Sequence, residues 1–100
     1  MTPYKVYICG AISGKENIAA KEFENAKNRI IAMGMVPVNH FELDHGDASQ
    51  WHEFMKTDIK ALMDCDYIYI CNDITNSEGA NIELNLARDL GIKECTILLP

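Results

Sequence analysis

The sequence has no apolar run that approaches the roughly 20 residues a helix needs to span a membrane. Its opening stretch, MTPYKVYICG, has too short an apolar run and the wrong flanking residues for a signal peptide. Basic residues are few: 9 Lys and Arg stand against 15 Asp and Glu, and the net charge is −6. A duplex nucleic-acid binder would instead show a basic stripe. These absences predict a cytoplasmic protein that binds neither a membrane nor duplex nucleic acid.

Metal-binding and disulfide patterns are also missing. The four cysteines form no C-x-x-C pair, which predicts reduced thiols in a reducing compartment, most of them small buried residues, rather than a disulfide framework. His40, His45 and His52 follow no common ligand spacing, so we interpret their segment as a polar, solvated loop. We therefore expect no metal and no cofactor.

The sequence itself is of ordinary globular composition, 48% hydrophobic and 24% charged. One hundred residues predict a single domain over residues 1–100, with a small core. Short β-rich runs predict four strands, at Lys5–Cys9, Met35–Val38, Asp66–Cys71 and Cys95–Leu99. Pro37 cannot donate to a ladder, so we place the second strand at an edge. The third is almost continuously apolar, which is typical of a central parallel strand.

Three helices are predicted between the strands. The first carries a stripe of Ala19, Phe23, Ala26 and Ile30 and stops at Gly34. The second runs from Ser49, a candidate N-cap, to Met63. The third follows Ser77, another candidate N-cap, and its apolar residues at four-residue spacing predict a buried stripe of Ile82, Leu86 and Leu90.

This alternation predicts an α/β fold: a small, doubly wound, flavodoxin-like parallel sheet with strand order 2-1-3-4. Ligands of such sheets bind at the carboxyl ends of the strands, where the order reverses. The loops expected there, GAISGKEN and NDITNSEG, carry backbone N–H groups that could hold a phosphate or a carboxylate. The small sheet also favours a homodimer, with the surface around Trp51 and Phe54 as a candidate contact.

Two acids lie on helix faces that are otherwise apolar. Glu83 falls on the stripe of the third helix, and Asp58 lies within the apolar arc of the second. A buried carboxylate without a partner is costly, so such a placement favours a functional site. Structural explanations stay open, because Glu83 could complement its helix dipole and Asp58 could pair with a lysine or cap a neighbouring loop.

Three segments carry a resemblance to a known family: VYICGAISG, WHEFMKTDIKALMDCDYIYIC and SEGANIELNLARDLGI. Over roughly residues 5–92 the chain resembles the DUF4406 family, within the nucleoside 2-deoxyribosyltransferase-like proteins. That superfamily includes deoxyribosyltransferases and deoxynucleoside 5′-monophosphate N-glycosidases. The resemblance implies cleavage of an N-glycosidic bond, with a nucleoside or nucleotide as the small-molecule partner.

The resemblance also implies a role for several residues. Glu83, in the piece Ser77-x-Gly79-x-x-x-Glu83, matches the nucleophile that attacks C1′ of the sugar. Asp58 matches an acid that assists departure of the base, and Tyr7 matches a tyrosine that orients the glutamate. The substrate-binding positions implied lie in the two loops near the sugar, phosphate or base: Gly10, Ser13, Asp73, Ser77 and Gly79.

Two other functions remain open from the sequence. A non-catalytic module could bind a nucleotide in order to sense or sequester it, and it would show no turnover. A purely structural or partner-binding protein would bind no nucleotide at all.

Overall fold

The computed structural model describes residues 3–96, which form one four-stranded sheet with three α-helices. In chain order the elements are β1 (Lys5–Cys9), α1 (Glu16–Ala32), β2 (Val36–Val38), a 3₁₀ turn (His40–Glu42), α2 (Trp51–Met63), β3 (Tyr67–Ile70), α3 (Glu78–Asp89) and β4 (Lys93–Glu94). None of the helices in the described residues combines the length and the apolar character required to cross a bilayer.

The sheet has the predicted topology. All strand pairs are parallel and the order is β2-β1-β3-β4, so the α/β, doubly wound 2-1-3-4 prediction is confirmed. Strand β2, which contains Pro37, lies at the edge as its missing N–H predicts. Tyr7 and Tyr69 lie in the adjacent strands β1 and β3.

The alternation of side chains along β1 divides the core between the two faces of the sheet. Val6 and Ile8 pack with the buried face of α1, which includes Phe23 and Ile30. Tyr7 and Cys9 point to the other face and pack with residues of α2 and α3. The sheet is therefore covered by α1 on one side and by α2 and α3 on the other.

The start of α2 differs from the prediction by one residue. Gln50, not Ser49, is the N-cap, and it forms a capping box with Glu53. Ser49 lies just outside, and its N–H donates to Glu53 Oε1 at 3.2 Å. The Glu53 carboxylate thus accepts the N–H groups of both Ser49 and Gln50, and the capping box starts the helix after Gln50.

The last strand is also displaced from its predicted position. Strand β4 comprises Lys93–Glu94, whereas the prediction was Cys95–Leu99. Cys95 and Thr96 lie beyond the strand, although the Cys95 N–H still donates to the Ile68 carbonyl at 2.7 Å. Residues 97–99 of the prediction lie outside the described residues. Within the described residues, the strand therefore begins two residues before the apolar run CTILL.

The buried stripe predicted for α3 is wrong. The helix buries Ala80, Leu84 and Ala87 together with Glu83, while Ile82 and Leu90 are 39% and 53% exposed. The sequence contains two apolar stripes, and the one with two alanines faces the sheet. Small side chains on that face let the helix lie close to the sheet, which leaves the bulkier stripe on the outer side.

Candidate functional site

A cavity of about 730 Å³ opens between the loops that follow β1 and β3, where the strand order reverses. This volume is within the range of small-molecule sites. All eight site residues predicted from the sequence line it: Tyr7, Gly10, Ser13, Asp58, Asp73, Ser77, Gly79 and Glu83. They come from strand β1, from the loops after β1 and β3, and from helices α2 and α3. The topology thus brings together residues up to 76 positions apart in the sequence.

Glu83 is buried on the inner face of α3, one turn after the helix start, and is only 5% exposed. The hydroxyl of Tyr7, in β1, donates to Glu83 Oε2 at 2.8 Å. Burial raises the pKa of Glu83 to about 7, while the Tyr7 hydrogen bond opposes that rise and the charge of Asp58 adds to it. The same burial, with Glu83 next to it, raises the pKa of Tyr7, which therefore stays a hydrogen-bond donor.

Asp58 lies on the buried face of α2 and is held by two histidines. His40 Nδ1 lies 2.7 Å from Asp58 Oδ2, and His45 Nε2 lies 2.8 Å from Asp58 Oδ1. An ionised carboxylate only accepts hydrogen bonds, so each ring contributes an N–H. The two rings therefore hold the Asp58 carboxylate in place at the wall of the cavity.

The interpretation of the histidine segment as a solvated loop is wrong for two of its three histidines. The side chains of His40 and His45 are only 15% and 12% exposed, and among the described residues Asp58 pairs with these two rings and with no lysine. His40 opens the 3₁₀ turn two residues after the end of β2, and the Asn39 side chain, the N-cap of this turn, accepts the Phe41 N–H at 3.0 Å. That position at the carboxyl end of a strand was the signal available in the sequence. His45 had no comparable signal.

A further residue that the sequence did not indicate, Asn72, joins the two loops. Its side chain accepts the Ala11 N–H at 2.7 Å and donates to the Ala11 carbonyl at 3.1 Å. Gly10 is needed beside it, because a Cβ there would lie 2.8 Å from both Cys71 Sγ and the Phe23 ring. These contacts fix the loop after β1 against the loop after β3.

The start of α3 completes the floor of the cavity. Ser77 is the N-cap as predicted, and its Oγ accepts the Ala80 N–H at 3.2 Å. Gly79 lies where α3 meets α2, since a Cβ at this position would approach Met55 Sδ to 3.1 Å. Ser13 and Asp73 are exposed at the rim.

His40, His45 and Asp58 are also the residues that could ligate a metal ion, since their ligand atoms lie within 4.8 Å of one another. Two nitrogens and a carboxylate oxygen suit zinc. However, the nitrogen–oxygen distances of 2.7 and 2.8 Å are those of direct hydrogen bonds, which a metal would have to replace. The geometry is that of a proton-sharing cluster.

Comparison with protein-family models identifies the family of this chain. A search of curated proteins finds no match to this sequence. The family model described as Domain of unknown function (DUF4406) matches residues 4–96, which include every residue of the cavity. The match covers nearly the whole chain, and the chain therefore belongs to the DUF4406 family.

Proposed function

We propose that this protein cleaves N-glycosidic bonds of nucleosides or deoxynucleotides, by hydrolysis or by transfer of the deoxyribosyl group, with Glu83 as nucleophile. The observation that carries the proposal is the Tyr7–Glu83 hydrogen bond of 2.8 Å, made at the wall of a cavity that Asp58 also lines. Retaining glycosidases divide their chemistry between two carboxyl groups in the same way.

Tyr7 binds one oxygen of Glu83, which leaves the other oxygen to attack C1′ of the sugar. As the C1′–O bond forms, the C1′–N bond breaks and its electron pair leaves with the base. The carboxylate charge also stabilises the positive charge that develops on the sugar ring. Water or a second base then releases the sugar from Glu83 and restores the free carboxylate.

The departing base needs a proton, and the cluster of Asp58, His40 and His45 is the candidate source. The two ring N–H groups lie on the Asp58 oxygens, and both His40 and Asp58 line the cavity. A protonated His40 would pass its second ring proton, the one not bonded to Asp58, to the base as the bond to C1′ lengthens, and the neutral ring would then recover a proton from solvent. The neighbouring Phe54 and Trp51 offer aromatic surface on which a base could stack.

The test is release of free base from deoxynucleosides and their 5′-monophosphates under single-turnover conditions, with and without an acceptor base. We expect Glu83→Gln and Glu83→Ala to lose at least ~10³ in rate, about 4 kcal/mol of barrier. Glu94→Gln, an exposed change on β4, is the matched control and should keep the wild-type rate. Wild-type rates in both Glu83 variants would overturn the nucleophile assignment.

Binding measured in parallel distinguishes the alternatives. Trp51 is the only tryptophan and lines the cavity, so its fluorescence should report occupancy. Saturable binding without any base release would assign the chain to the non-catalytic binding modules. If the protein neither binds these ligands nor releases base from them, a structural or partner-binding role is favoured.

A further inference from the structure

The lining of the cavity is strongly acidic. Among the described residues, five carboxylates face it, from Glu16, Asp58, Asp73, Glu78 and Glu83. Asp73 stays ionised, because the hydroxyl and N–H of Thr75 both donate to its Oδ1 and lower its pKa. An anionic group that entered this cavity would meet like charges on several sides.

The positive charge of Lys15, on the cavity lining, is already paired with a glutamate. Lys15 is the single lysine or arginine that the described part of the chain contributes to the cavity, and its ammonium lies 3.0 Å from Glu22 Oε1. Hydrogen bonds from Asn72 and Lys15 lower the pKa of Glu22, so the glutamate remains charged beside the lysine. The Lys15–Glu22 pair is neutral as a whole and offers little attraction to a phosphate.

Several backbone N–H groups of the two loops beside the cavity already donate to the chain's own oxygens. The Gly14 N–H donates to Glu16 Oε2 at 3.2 Å, and the Thr75 N–H donates to Asp73 Oδ1 at 2.9 Å. The Ala11 N–H is taken by Asn72. Helices normally attract anions at their N-termini, but here α1 begins with Glu16 and α3 begins with Glu78. At each helix start, the negative charge of the glutamate therefore offsets the positive end of the helix dipole.

From these contacts we infer that the cavity takes nucleosides that carry no 5′-phosphate, neutral or cationic in the base, and discriminates against the corresponding 5′-monophosphates. This inference rests on the proposed function, because it names the substrate class of the same site. It runs against the expectation from the sequence that the two loops hold a phosphate or a carboxylate.

Binding is the first test, because it does not require turnover. Trp51 fluorescence of the full chain is titrated with deoxyadenosine and with deoxyadenosine 5′-monophosphate, and the pair is repeated with deoxycytidine. At low salt we expect the nucleoside to bind at least ~10-fold more tightly than its monophosphate. At 1 M salt, where the Debye length falls to about 3 Å, the ratio should shrink towards one.

An isosteric double variant and its control test which charges weaken the binding of the monophosphate. The double variant Glu16→Gln with Glu78→Gln removes the acids at the two helix starts and should improve monophosphate binding several-fold, with little change for the nucleoside. The control, Glu24→Gln with Asp89→Asn, removes two exposed charges from the same helices outside the cavity lining and should leave the ratio unchanged.

The outcomes separate this inference from the proposed function. Nucleoside-selective binding without base release supports the inference and overturns the proposed function. Base release with equal or tighter use of monophosphates supports the proposed function and overturns the inference. Failure of both ligands to bind at millimolar concentration overturns the inference as well.

Discussion

At the level of one residue, Glu83 shows how burial and hydrogen bonding shift the pKa of a carboxyl group in opposite directions. Burial disfavours the charged form of Glu83, whereas the Tyr7 hydroxyl favours it. Burial has the larger effect, so the pKa of Glu83 rises to about 7. The glutamate is therefore partly protonated at neutral pH. A carboxyl group in this balance can attack as an anion in mildly alkaline solution and is inert in acid.

The raised pKa predicts a pH-dependent cost to folding. The unfolded chain ionises Glu83 near its ordinary value of 4.5, whereas the folded protein holds the proton up to about 7. The native state binds more protons in this window, so stability falls as pH rises through it, by about 3 kcal/mol in total. Glu83→Gln should remove this loss. Urea unfolding at pH 4.5 and 8.5 should show the variant gaining on wild type only at the higher pH.

Glu94→Gln serves as the control for that measurement, since Glu94 is exposed and its neutralisation should not introduce a pH-dependent difference of this size. A Glu83→Gln variant whose advantage is the same at both pH values would contradict the raised pKa.

The substitution Tyr7→Phe should raise the pKa of Glu83 above its value in the wild type. Loss of the hydroxyl removes the bond that supports the Glu83 anion, which should raise the pKa of Glu83 further, by roughly one to two units for a charged hydrogen bond. The alkaline-rising limb of base release should move to higher pH by the same amount. Titration of the carboxyl carbon of Glu83 by ¹³C NMR measures the shift without turnover. A midpoint that stays near 7 or falls would contradict the assigned role of Tyr7.

At the scale of elements, the sequence predicted which helices exist better than which face each one buries. The stripe of α1 was predicted correctly, since Ala19, Phe23, Ala26 and Ile30 are all buried. In α3 the apolar residues form two stripes, and hydrophobic periodicity alone does not rank a stripe of alanines above one of leucines. The inward position of Glu83 was nevertheless predicted, because it borders both stripes.

The two stripes of α3 predict unequal costs of truncation. Leu84→Ala should destabilise the protein by about 2–4 kcal/mol, because Leu84 is 8% exposed and packs with the core around Tyr7 and Ile68. Ile82→Ala, on the same helix but 39% exposed, should cost less than about 1 kcal/mol. Urea unfolding of the two variants measures the difference. Equal costs would show that the helix buries the stripe predicted from the sequence.

For the whole molecule, alternation of strands and helices was sufficient to predict the sheet order, because parallel strands with right-handed crossovers allow few arrangements. The same reasoning predicted a site between the loops after β1 and β3, where the cavity opens. The substrate-binding positions came from the resemblance to the family, not from the topology. The topology could not place His45 or Asn72, whose contacts depend on how irregular loops fold in three dimensions. Loop contacts of this kind leave no periodic pattern in a sequence, so the partners of Asp58 emerged only from the structure.

Assembly is the remaining prediction at this scale. A sheet of four strands has little core, and Trp51 is 46% exposed on α2, next to Gly79 of α3. A large aromatic side chain that is half exposed beside the cavity favours burial against a second copy, so we expect a homodimer at micromolar concentration. Sedimentation velocity should show Trp51→Glu shifting the population to monomer. Ile18→Glu is the control, since Ile18 is 63% exposed on α1, across the sheet, and its substitution should leave the dimer intact. Monomeric wild-type protein at these concentrations would refute the dimer, and a dimer that Ile18→Glu disrupts instead would move the contact to the α1 side.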